Sequence, residues 1–174
     1  MLSYENAEIA LNTGMMLHEM LQHESLAKVL LYSDECVFNS HSHSLYRFPY
    51  YIETTSFSVS CDAFGNLREV LTRHREMAAE FLERHYERFF TMYASLLDSP
   101  NYVTRRQSLK LLGELLVNRS NYAVMIRFVA DEENLKRAMN ALRDKSKNIQ
   151  FEAFHVFKVR CVGTCLSLIH ISEP

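Results

Sequence analysis

The sequence predicts an all-α, armadillo- or HEAT-like helical-repeat solenoid, and three observations carry that expectation. Only 4 Gly and 3 Pro interrupt 174 residues rich in Leu, Met, Ala, Glu and Arg, so intrinsic preference favours helix. Successive segments place apolar residues at a 3.6-residue period. A small residue recurs at nearly constant intervals inside those segments.

Taken in order, amphipathic segments cover residues 7–21, 25–33, 57–73, 76–84, 87–97, 102–118, 121–129, 132–143 and 149–158. Between the second and third lies Val37-Phe38-Asn39-Ser40-His41-Ser42-His43-Ser44-Leu45, which has no helical period and reads as a loop inserted near residues 37–47. Ser99-Pro100-Asn101 stops one helix and offers a cap to the next. Asp131-Glu132-Glu133 places acids in a first turn, where the helix dipole favours them.

Four segments share a pattern in which a polar residue precedes a small one and a bulky apolar residue follows: EIALNTGMMLHEML, SCDAFGNLREVL, RRQSLKLLGELL and QFEAFHVFKV. Their small residues are Ala10, Ala63, Ser108 and Ala153, at intervals of 53, 45 and 45 residues. Subtracting an insertion of about nine residues from the first interval gives a period of ~40–47, that of HEAT and armadillo repeats. Leu67, Leu112 and Phe157 fall one turn beyond the small residue on the same face. Neighbouring helices are therefore expected to approach closely at the small positions and to share their stability between repeats. Residues 1–158 form the repeat domain in this reading, and 159–174 form an atypical tail.

With 48% hydrophobic and 23% charged residues, the chain has the balance of a globular protein with a real core. The net charge of −2 hides an asymmetry. Residues 1–100 carry 7 basic and 14 acidic side chains, and residues 101–158 carry 11 basic and 6 acidic. The second half can thus present a positive surface to an acidic partner. Cys36, Cys61, Cys161 and Cys165 lack the spacing of paired metal ligands or of a disulfide framework, so free and mostly buried thiols are expected. No run of ~18 apolar residues occurs, and the start MLSYENAEIA has no signal-peptide pattern. The expectation is a cytoplasmic protein with no membrane association.

Signatures of catalysis are missing: there is no G-x-G-x-x-G, Walker A, H-E-x-x-H or G-x-S-x-G motif, and no EF-hand loop. His41 and His43 beside Cys36 have ligand chemistry but no fourth ligand at suitable spacing. His18, His23, His74 and His85 sit on helices or helix ends, where capping or surface roles suffice, and His155 falls in an apolar run suited to a core or half-buried place. Glu80 and Arg84 form the ordinary i,i+4 helix pair. The chain is accordingly expected to be no enzyme and to need no cofactor or metal.

A binding surface is the better candidate. Arg105, Arg106 and Lys110 lie near the start of the helix at 102–118, with Arg106 and Lys110 facing the same way. Lys136 and Met139 are three apart on the helix at 132–143, with Arg143 a turn further. A cation beside a pliable Met suits a peptide pocket, because Met packs against irregular aromatic ligands and Lys or Arg pairs with acids. Met139 equally suits core packing, and each cation a solvated face. Nucleic acid is a poorer match, since the cluster is short, lacks interleaved aromatics and belongs to an acidic chain.

The runs NYVTRRQSLKLLGELLVNRSNYAVM and ENLKRAMNALRDKSKNIQFEAFHVFKV closely resemble the calcium-binding protein 39 family, also called the mouse protein-25 family. EIALNTGMMLHEMLQHESLAKVLL and DAFGNLREVLTRHREMAAEFLERHYERFF resemble it in the same order, so the resemblance covers roughly residues 4–158 apart from the loop. It implies a horseshoe-shaped, non-catalytic scaffold. Such scaffolds bind the tryptophan-containing C-terminal tail motif of a pseudokinase, hold its kinase partner active, and stimulate kinases of the sterile-twenty group. Matched motif to motif, the tail pocket falls on Arg106, Lys136 and Met139, with Lys110 as neighbour. The resemblance gives Arg106 an acidic group to satisfy and Met139 an aromatic ring to pack on.

Three departures shape the expectation. The chain starts near the middle of the family sequence, the His/Ser stretch is additional, and VRCVGTCLSLIHISEP departs from the family after residue 158. Apolar faces near Phe151, Phe154 and Phe157 should then lie open, offering a route to self-association. The alternative to the scaffold is a structural repeat fragment without kinase-activating competence.

Overall fold

A computed structural model describes residues 9–32 and 45–170, with side chains to residue 159. Every described element is helical, and the chain divides into two compact units, one up to Tyr93 and one from Ala94 onward.

In the first unit, α1 (Ala10–Leu21) and α2 (Glu24–Leu31) form a short helical pair, and α1 packs on α4 (Phe57–Thr72). A 3-10 turn at Leu45–Arg47 leads into α3 (Phe48–Thr54), which lies on α4, and α5 (Arg75–Arg84) follows. The first two turns of α6 (Tyr86–Leu97) complete this unit. Leu21, Phe48, Tyr51, Leu67, Leu71, Phe81 and Phe89 are almost fully buried, and Phe89 stacks on Tyr93 with ring centroids 5.5 Å apart. Burial of such side chains contributes roughly 1.5–3 kcal/mol each.

The second unit takes the end of α6, then α7 (Tyr102–Val117), a 3-10 turn at Arg119–Asn121, α8 (Tyr122–Ala130), α9 (Glu132–Leu142) and α10 (Lys147–His170). Both α7 and α9 pack on α10, and α8 touches all three. Local chemistry sets the boundaries. Asn101 Oδ1 accepts from the Val103 amide at 2.9 Å, and Asp131 Oδ1 accepts from the Glu133 amide at 2.8 Å, so both expected caps form. Buried Asn121 donates to the Leu115 carbonyl at 2.8 Å, satisfying an orphan acceptor at the end of α7.

The repeat is visible in the hydrogen bonds and an ion pair. Asn66 Nδ2 donates to the Gly14 carbonyl at 3.0 Å, and His74 Nε2 meets the Leu21 carbonyl at 3.0 Å, so α1 and α4 are paired at offsets of 52 and 53 residues. In the second unit, Tyr102 with Asn148 and Arg106 with Glu152 both pair at an offset of 46. A constant offset means parallel helices, the arrangement of equivalent helices in successive repeats. Ala10, Ala63, Ser108 and Ala153 are all completely buried, as the spacing predicts. Leu67 and Leu112 are buried one turn further, while Phe157 is half-buried.

The structure departs from the sequence reading in five places. Helix α3 has no counterpart among the periodic segments: seven residues are too few to display a 3.6 period, and Pro49 resembles a breaker although it occupies the first turn, where no amide is needed. Leu45–Arg47, assigned to the inserted loop, form a 3-10 turn with Leu45 buried. The rest of the predicted loop, with Cys36, His41 and His43, lies mainly outside the described residues. Helix α10 continues without interruption past residue 158 to His170. Cys61 is exposed rather than buried, and His155 is exposed beside Phe151 and not in the core.

Candidate partner-binding site

The start of α7 is laced to the α9–α10 turn and the start of α10 by three side-chain contacts. Asn148 Nδ2 donates to the Tyr102 hydroxyl at 3.0 Å, Arg105 Nη2 lies 3.0 Å from Asp144 Oδ2, and Arg106 Nε lies 3.6 Å from Glu152 Oε1. The hydrogen bond from Asn148, aided by Ser146, lowers the Tyr102 phenol below its ordinary pKa. Arg105 is spent on this internal pairing at the α9–α10 turn. Arg106 pairs loosely with Glu152 through its Nε while its side chain remains 44% exposed. Lys110, a turn further along α7, is exposed.

On α9, Met139 is 41% exposed, which places it at the surface and removes the core alternative. Lys136 is exposed but engaged: its Nζ lies 2.9 Å from Glu133 Oε1 and 3.0 Å from Glu132 Oε1, both on its own helix. Hydrogen bonds that it donates to Glu133 and then Glu132 raise its pKa, so the ammonium stays charged at any physiological pH. Its charge is nevertheless offset by two neighbouring carboxylates. Among the four predicted residues, Arg106 and Lys110 therefore offer more positive field to an acidic ligand than Lys136 does.

Helix α10 lies against both α7 and α9 and adds apolar surface of its own. Phe151 is 60% and Phe154 54% exposed, as expected for an open repeat face. The His155 ring meets Phe151 edge to face at 4.6 Å. The predicted residues and these rings thus lie on three helices of one unit: the cations on α7, Lys136 and Met139 on α9, and Phe151 and Phe154 on α10.

The sequence reading does not identify Glu152, Asp144 or Asn148 as partners. Glu152 looks isolated in an apolar run, yet it stands 46 residues after Arg106, close to the repeat period, and that offset is the signal that could have paired them. Among the described residues no group of three or more His, Cys, Asp or Glu side chains could hold a metal ion, and no helix is long and apolar enough to cross a membrane.

Parallel helices at a fixed offset, with a small buried residue recurring in each, define a helical-repeat protein. The Mo25-like family model matches residues 1–162, and the chain belongs to that family. It is 50% identical over 156 residues to calcium-binding protein 39-like of Homo sapiens, covering 90% of this chain and 44% of that protein. It is 47% identical over 156 residues to an Mo25-like protein of Schizosaccharomyces pombe, covering 90% and 45%, and 50% identical over 157 residues to the degreening-related gene dee76 protein of Auxenochlorella protothecoides, covering 90% and 46%. The chain spans less than half the length of these relatives.

Proposed function

We propose that the chain is a non-catalytic scaffold of the cytoplasm whose second unit binds the acidic, tryptophan-containing tail of a pseudokinase and helps to activate sterile-twenty-group kinases. Membership of the Mo25-like family supports the scaffold role. The observation that carries the tail-binding reading is the arrangement of Arg106: it forms an ion pair with Glu152 at 3.6 Å yet its side chain stays 44% exposed, on a unit that also exposes Met139, Phe151 and Phe154. A carboxylate of the tail pairs with Arg106, and its aromatic ring packs on the pliable Met139, while Lys110 and Lys136 strengthen the attractive field.

Calorimetric titration of the chain with a synthetic peptide carrying a tryptophan and an acidic residue tests this. Saturable binding that weakens by at least about tenfold in both Arg106→Ala and Met139→Ala supports the pocket. A folded chain with no measurable binding overturns tail recognition and favours a structural repeat fragment without kinase-activating competence.

A further inference from the structure

Glu152 has no part in the tail pocket as the family resemblance draws it, but its placement is unusual for a carboxylate. The residue is only 8% exposed, sits between exposed Phe151 and the completely buried Ala153, and approaches Arg106 of the parallel helix α7. Buried carboxylates need a compensating partner, and the Arg106 guanidinium supplies one. The contact is an ion pair made at Nε of Arg106, at 3.6 Å longer than a hydrogen bond, and a guanidinium paired at one nitrogen has further N–H donors with which to take a second carboxylate.

Building on the tail-binding reading above, we propose that Glu152 is a positioning residue that orients Arg106 and thereby makes the site select an acidic side chain over its uncharged amide. The alternative roles of Glu152 differ in sign. As a bare negative charge near Arg106, it repels an incoming carboxylate, and its removal strengthens acid binding. As the anchor of the guanidinium, it pre-arranges the donor fork, and its removal weakens acid binding by letting a long side chain explore other rotamers. A purely packing role would weaken every ligand alike.

The test compares wild type and Glu152→Gln, which keeps shape and removes charge, against two peptides: the acidic tryptophan peptide and its twin with glutamine in place of the acid. Melting temperature establishes that both chains fold, and the Arg106 Nε–H exchange rate, read by side-chain nitrogen NMR, reports the anchor without any peptide. The expected result is about tenfold weaker binding of the acidic peptide by E152Q, little change for the glutamine twin, and faster Nε–H exchange. Equal or tighter binding of the acidic peptide by E152Q overturns the proposal, as does equal weakening of both peptides. Unchanged Nε–H exchange overturns the positioning itself. Wild type that binds neither peptide overturns the tail-binding reading and acid selection with it, while the exchange rate still decides whether Glu152 holds Arg106.

Discussion

Ala10, Ala63, Ser108 and Ala153 set how closely equivalent helices can approach, because a larger side chain at a completely buried crossing has nowhere to go. Ala63→Leu or Ala153→Leu should therefore cost about 1–3 kcal/mol by overpacking, measured as a lower midpoint in urea unfolding. Leu67→Ala, one turn along α4, should cost about 2–5 kcal/mol through the cavity it leaves. Asn66 tests the polar side of the same interface. Its amide satisfies the Gly14 carbonyl, so Asn66→Ala should destabilise by roughly 1–3 kcal/mol, and a variant as stable as wild type would show that this hydrogen bond does not matter. The small positions were legible because two of their three intervals are equal, at 45 residues. Asn66, His74 and Glu152 were not, because a hydrogen bond or ion pair spanning one repeat can be seen only when the register between parallel helices is known.

At the scale of the element, sequence chemistry is most legible where it is local. The helices beginning at Tyr102 and Glu132 start where Asn101 and Asp131 cap them, and these side chains accept from amides two residues on. Asn101→Ala and Asp131→Ala should each cost about 0.5–2 kcal/mol, and hydrogen exchange should quicken first in the opening turns of α7 and α9. Loss of the Asn101 cap should also loosen the Tyr102–Asn148 and Arg106–Glu152 contacts, since both depend on the first turns of α7. Helix α3 marks the limit of such reading. It is held by packing on α4, with Phe48, Tyr51 and Ile52 buried, rather than by a periodicity long enough to recognise.

For the molecule as a whole, uneven charge and the open aromatic surface matter more than the small net charge. Tail binding that rests on Arg106 and Lys110 should weaken as salt rises, because the screening length falls from ~10 Å at 0.1 M to ~3 Å at 1 M. Binding carried only by Met139 and the aromatic rings should not weaken in that way. The positive half and its exposed cations were legible from counting charges along the sequence. What the sequence could not reveal is which cations are already paired: Arg105 is committed to Asp144 and Lys136 to Glu132 and Glu133, whereas Arg106 makes a longer pair with Glu152 and stays 44% exposed. The most direct test of the central claim is amide hydrogen exchange of the chain with and without the acidic tryptophan peptide. Protection concentrated in the first turns of α7, around Met139 in α9 and near Phe151 in α10 is the predicted result. Protection confined to the first unit, or none at saturating peptide, would contradict it.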